Sequence, residues 1–190
     1  MEFDLTYDYL CPFARNANEA VLNGLEQGRD WQIAFRPFSL TQVHVETGGA
    51  DVFADTSASG VLAHQWGIAI RDTDPNNFPA AHAALFAARH DAGRDISDES
   101  VIRSALHGVG VDVDAIADVV ASGGPAKTLA REHSEAVERW GVFGVPTFIA
   151  DDVATFIRFM ERGLVSDVDR VLELLDWQGL NEFKRTRRPR

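Results

Sequence analysis

Phe3, Leu5 and Tyr7 alternate with Asp4 and Thr6, the period of a strand with one face buried. The period then lengthens. Ala14, Ala17, Val21, Leu22 and Leu25 recur at helical spacing between Arg15, Glu19, Asn23 and Glu26, which predicts a helix over 12–27. Pro12 suits its first turn, where a missing N–H leaves nothing unpaired, and Gly28 suits its stop. Trp31, Ile33 and Phe35 alternate as a second strand ended by Arg36-Pro37. A strand, a helix and a strand at this spacing form a βαβ unit, so the two strands should be parallel.

The next hundred residues carry a different pattern. Gly48-Gly49 and Ser57-Ala58-Ser59-Gly60 mark loops, and helices are predicted over 61–68, 79–92, 97–107, 112–121 and 125–140. Ser97 reads as an N-cap before Asp98 and Glu99, with Val101, Ile102, Ala105 and Leu106 as the apolar face. In the last of these helices Leu129, Val137 and Trp140 fall on one side. The strand pattern resumes with Phe148-Ile149 and Thr155–Ile157, a hairpin across Asp151-Asp152. A final helix over 161–176 turns Leu164, Val168, Val171, Leu172 and Leu175 inward. Residues 1–40 and 141–190 are therefore expected to form one core bridged by helix 125–140. Residues 41–124 are expected to be a helical insertion into it, because the strands return afterwards.

The chemistry converges on Cys11, the one cysteine of the chain, in the run Tyr-Asp-Tyr-Leu-Cys-Pro-Phe-Ala. It stands where a strand gives way to a helix N-terminus. Unpaired N–H groups and the positive end of the helix dipole favour a thiolate there. The expectation is a pKa below the free value of about 8.5 and a nucleophilic sulfur. The alternative is an inert, buried cysteine.

Composition changes this picture only at its edges. With 45% hydrophobic and 25% charged residues in 190, the chain has the make-up of a soluble globular domain. No apolar run approaches the roughly 18 residues of a membrane span. No basic-then-apolar leader pattern opens the chain, and a lone cysteine fits a reducing compartment, so a cytoplasmic setting is expected. A net charge of −11 argues against general nucleic-acid binding. Lys184, Arg185, Arg187, Arg188 and Arg190 form a basic tail at 184–190, read as lying on the acidic body or on a neighbouring subunit, so a homodimer stays open. The six histidines show no HxxxH spacing and no cysteine partner, so no metal site is expected. Gly108-Val109-Gly110 follows a helix and lacks a third glycine, so it is no dinucleotide loop.

Three segments carry a resemblance. Cys11-Pro12-Phe13-Ala14 is similar to the Cys-Pro-x-Cys run of the DsbA-like branch of the thioredoxin superfamily, with its last residue replaced. Arg36-Pro37-Phe38-Ser39-Leu40 resembles that family's Arg-Pro-Phe-x-Leu. Gly141-Val142-Phe143-Gly144-Val145-Pro146-Thr147-Phe148 resembles its cis-proline segment. The resemblance implies an α/β, thioredoxin-like fold (βαβ–αββα) with a large helical insertion. The branch also holds kappa-class glutathione transferases and 2-hydroxychromene-2-carboxylate isomerases, which carry a serine near the Cys11 position.

Dithiol members resolve a mixed disulfide with a second cysteine where this chain has Ala14. A mixed disulfide on Cys11 would need an outside thiol to release it. The resemblance thus implies a monothiol oxidoreductase or small-thiol-dependent reductase. Glutathione or mycothiol is the expected cosubstrate, no cofactor is tightly held, and the substrate is an electrophile or a disulfide. An S-transferase or isomerase, and a redox-inactive binding protein, are the alternatives. By position Val145, before Pro146, would offer its backbone to an extended thiol ligand. Phe13 would shield the sulfur beside Pro12. Arg15 is a candidate for a ligand carboxylate. The insertion covers the active site in this family, so His64, Trp66 and His82 are candidate pocket residues.

Overall fold

A computed structural model describes residues 1–179 apart from Thr47, Asp152, Asp176 and Gln178; the basic tail at 184–190 lies outside the described residues. Strand β1 (Glu2–Tyr7), helix α1 (Pro12–Glu26) and strand β2 (Gln32–Pro37) form the first unit. The segment between β2 and the next strand is helical: α2 (Leu40–Val43), α3 (Val61–Thr73), α4 (Phe78–His90), α5 (Glu99–Leu106), α6 (Val113–Ala121) and α7 (Gly124–Trp140). Strands β3 (Thr147–Ala150) and β4 (Val153–Phe156) and helix α8 (Val165–Leu175) close the fold. Among the described residues no helix is long and apolar enough to cross a membrane.

The sheet order is β2-β1-β3-β4. Strand β1 pairs in parallel with β2, Leu5 opposite Phe35, and antiparallel with β3, Leu5 opposite Phe148. As a central strand it buries Phe3, Leu5 and Tyr7, each worth on the order of 2 kcal/mol relative to exposure. Ala150 opposite Val153 leaves a two-residue hairpin connection, and Asp151 takes a φ of 52° in it. Helices α1 and α8 pack together, and α1 also meets α4. One apolar cluster runs from Phe3 and Phe148 in the sheet to Phe86, Ile102 and Ile116 in the insertion. The helical segment is thus continuous with the core of the sheet and not a separate body.

Several sequence expectations shift. Asp98, not Ser97, caps α5: its carboxylate accepts the Ser100 N–H at 2.8 Å, while the Ser97 N–H goes to Asp95. Helix α3 runs on to Thr73, past the expected end at 68. Helix α8 starts at Val165 after Gly163 at φ 68°, so Val165 is buried and Leu164 is exposed. In α7 the inward positions are Leu129, His133 and Ala136, and Val137 faces solvent. The short helix α2, not among the helices expected from the sequence, is capped by Ser39, whose Oγ accepts the Gln42 N–H at 3.1 Å.

Candidate active site

Cys11 is the N-cap of α1, in extended backbone at φ −94° and ψ 117°, with Pro12 in the first turn. Its N–H donates to Asp8 O at 3.0 Å and its C=O starts the helix by accepting the Arg15 N–H. The Ala14 N–H donates to Sγ at 3.4 Å. The thiol in turn donates to the Val145 carbonyl at 3.5 Å. The Val145–Pro146 peptide is cis, and Thr147 anchors the segment through Thr6 Oγ1 (2.9 Å) and Gly144 O (2.8 Å). Pro12 is exposed and Phe13 half-buried. The sulfur therefore sits between a helix start and a loop carbonyl 134 residues later.

The thiol acidity differs from the sequence expectation. Cys11 is 7% exposed, and burial pushes its pKa up. The Ala14 and Phe13 N–H groups pull it down, the Asp8 carboxylate pushes it up, and the Arg158 guanidinium pulls it down. The net direction is upward, because low dielectric opposes a charged sulfur more than the helix end favours it. The helix-end rule is at work here, through the two N–H groups, but it does not prevail.

Asp8 is the residue the sequence reading passed over. Its side chain is almost wholly buried, and it accepts the Leu10 N–H at 2.8 Å and the Leu40 N–H at 2.7 Å. It thereby ties the Cys11 loop to the end of the Arg36–Leu40 motif. The rest of that motif also positions the loop. The Phe38 N–H donates to Tyr7 O, the Ser39 N–H donates to His133 Nδ1, and Arg36 pairs with Asp4 and Glu135. Gly60, at φ 79°, lets α3 begin close against Leu10 and Asp8, where a Cβ would lie 3.0 Å from the Leu10 side chain. A signal for Asp8 existed: a carboxylate between two tyrosines at a strand end has to be exposed or locally satisfied.

The insertion candidates His64, Trp66 and His82 all lie buried inside the fold. His64 is buried, its Nε2 3.5 Å from Asp8 Oδ1, with the Tyr7 and Tyr9 rings 5.4 and 5.5 Å away. Trp66 is buried with Arg103 stacked over it at 5.4 Å. His82 is buried in a relay: Tyr9 Oη donates to Nδ1 at 2.8 Å, Nε2 donates to Asn18 Oδ1 at 2.9 Å, and Asn18 Nδ2 donates to Ala14 O at 2.7 Å. The Asn18 amide, oriented by its bond to Ala14, assigns that neutral tautomer. Burial lowers the His82 pKa to about 3, which agrees with it. Arg15, expected to meet a ligand carboxylate, is already paired with Asp91 at 2.7 Å, and Arg162 clamps Asp91 and Glu19 from the other side. These four side chains pin the insertion and the 158–164 loop to α1. Not every polar group there is matched: Arg15 Nε, both ring nitrogens of His64 and Trp66 Nε1 are buried with no hydrogen-bond partner among the described residues.

Residues 3–175 match the family model of the DSBA-like thioredoxin domain. Among solved structures, a 2-hydroxychromene-2-carboxylate isomerase is similar with a TM-score of 0.66 at 18% identity, over 94% of this chain and 98% of that one. The cytosolic disulfide reductase DsbM from Pseudomonas aeruginosa, solved with GSH, aligns with a TM-score of 0.65 at 18% identity, over 92% and 98%. The thiol-disulfide exchange protein alpha-DsbA2 from Wolbachia pipientis aligns at 0.61 and 17%, over 92% and 80%. At these identities the likeness establishes the fold. A search of curated proteins finds no match.

Proposed function

The chain belongs to the DSBA-like thioredoxin domain family, and on that premise we propose that it is a monothiol thiol-disulfide oxidoreductase working through Cys11 with a small-molecule thiol. One observation carries the reading. Sγ sits at the N-cap of α1 against the Val145 carbonyl, while the next turn offers only buried Ala14, in a chain with one cysteine. Such a site can form a mixed disulfide and has no internal thiol to resolve it.

The resting thiol donates to Val145 O. On losing its proton the sulfur keeps the Ala14 and Phe13 N–H groups, which are already in place. A thiol with a raised pKa is present mostly as the neutral form, so attack draws on a small thiolate fraction of high intrinsic nucleophilicity. Glutathione or mycothiol would then release the product, and a reducing cytoplasm would supply it.

The test is intact mass after exposure to oxidised glutathione. One adduct on the parent chain, none on Cys11→Ser, and removal by reduced glutathione is the expected result. A chain that stays unmodified across neutral and mildly alkaline pH would overturn the reading. Conjugation or isomerisation that survives Cys11→Ser would point to an S-transferase or isomerase instead.

A further inference from the structure

Arg158 follows β4 and is exposed. Its guanidinium lies 5.3 Å from the centre of the Phe13 ring and 5.6 Å from that of Phe156. Phe13 is the second residue of α1, next but one to Cys11. Phe156 reaches the other wall of the site: its ring is 5.0 Å from that of Phe143, and a Cβ on Gly144 would lie 3.3 Å from it. Phe143 itself is 67% exposed. Rings from α1 and β4 therefore meet around one cation near Cys11, and the Phe143 ring from the segment before Pro146 packs on the β4 ring.

Among the described residues this cation is unmatched. Arg15, Arg36, Arg71, Arg103 and Arg162 each pair with an Asp or Glu. Among the described residues Arg158 has neither a carboxylate nor a hydrogen-bond acceptor within reach; its contacts are the two rings. Aromatic faces hold a guanidinium without neutralising it, and its planar fork suits a carboxylate. The net charge of −11 does not cancel this locally, because exposed charges beyond about 8–10 Å are screened.

We infer that Arg158, set on Phe13 and Phe156, recognises the carboxylate of an anionic small thiol or its disulfide and holds it over Cys11. The inference rests on the proposed monothiol chemistry and narrows it: a carboxylate-bearing thiol of the glutathione kind is the cosubstrate, in preference to an uncharged, sugar-linked thiol such as mycothiol. In the reaction the Cys11 thiolate attacks one sulfur of the disulfide. That S–S bond breaks, a Cys11–S–S–R bond forms, and the departing thiolate takes a proton from water. The disulfide is the oxidant and Cys11 is oxidised. Arg158 holds the carboxylate of the half that stays. Its charge also favours the thiolate form of Cys11.

Three symmetrical disulfides of similar size separate charge recognition from thiol reactivity: dithiodipropionate (anionic), hydroxyethyl disulfide (neutral) and cystamine (cationic). Adduct formation on Cys11 is timed by intact mass for the full chain and for Arg158→Gln, Arg158→Lys and Arg158→Glu. Division by the neutral rate removes any change in thiol acidity. The anionic-to-neutral rate ratio of the parent should fall on the order of tenfold in Arg158→Glu, with cystamine gaining, and be largely kept in Arg158→Lys at low salt. Added salt should flatten the parent's preference. Adducts that form at the same rate ratios in all four proteins would overturn the role of Arg158 and leave the Cys11 reading standing. No adduct from any of the three disulfides would overturn both.

Discussion

Asp8→Asn should weaken the fold and at the same time make Cys11 more acidic. The Asp8 carboxylate accepts the Leu10 N–H at 2.8 Å and the Leu40 N–H at 2.7 Å in a site with almost no water access. Hydrogen bonds to a charged acceptor contribute about 1.5–3 kcal/mol each. The Asn amide keeps one oxygen and turns its NH₂ toward the other N–H donor. One bond weakens to neutral strength, and the other is replaced by two donors facing each other. The expected loss is about 2–4 kcal/mol, well inside the roughly 5–15 kcal/mol of a typical domain, so the variant stays folded. In urea the midpoint should drop with the m-value unchanged.

The Asp8 charge holds the Cys11 pKa up, so its removal must lower it. Ultraviolet absorbance of the thiolate against pH reads this directly. Loosening of the loop would also lower the pKa by exposing sulfur. The ratio of alkylation rates by a bulky maleimide and by iodoacetamide controls for that, and it should not change. An unchanged urea midpoint would refute the anchoring role of Asp8. A thiol that titrates at the same or a higher pH would refute its electrostatic one.

Ala14→Cys places a second thiol where the residue-14 N–H already touches Sγ at 3.4 Å, inside disulfide reach; the variant should expel a bound small thiol and lose two hydrogens by mass, at about 1–3 kcal/mol for crowding a fully buried position. Two free thiols persisting under oxidant would count against the placement of Cys11. Burial lowers the pKa of His82 to about 3 and of His133 to about 4, against about 6.5 unfolded, so below pH 6.5 the unfolded chain binds more protons and stability falls as pH drops. The loss should run to about pH 4 for His133 and about pH 3 for His82, at up to about 1.4 kcal/mol per pH unit for His82 and less for His133; urea midpoints that are level between pH 6.5 and 4.5 would contradict it. Asp91→Ala should cost no more than about 1 kcal/mol, because its pairs with Arg15 and Arg162 are exposed, and adduct formation at Cys11 should be unchanged. A large loss of activity there would restore Arg15 to the site.

The course of the chain was legible because it is written in local terms. Alternation over Phe3, Leu5 and Tyr7, the helical period from Ala14 to Leu25, and Pro12 after Cys11 specify a strand, a helix and a cysteine between them without reference to distant residues. Segments such as Arg36–Leu40 and Gly141–Phe148 stood out as motifs, but not the contacts they make within the fold. That depends on which groups face each other across the fold: Leu40 N–H on Asp8, and Val145 O on the cysteine thiol.

Only the tertiary structure decided the electrostatics of the site. Whether Cys11 is acidic turns on burial and on Asp8 and Arg158, one 3 residues away and the other 147. Whether Arg15 is available to a ligand turns on where Asp91 lies, and only the fold brings Arg158, which the sequence did not single out, to the Phe13 ring. His64, Trp66 and His82 were polar or aromatic residues on plausible helix faces, and packing placed them inside. Periodicity reports which face of an element is buried. Desolvation and charge pairing are sums over neighbours that the chain brings together only when it folds, and those sums set the chemistry of the one cysteine.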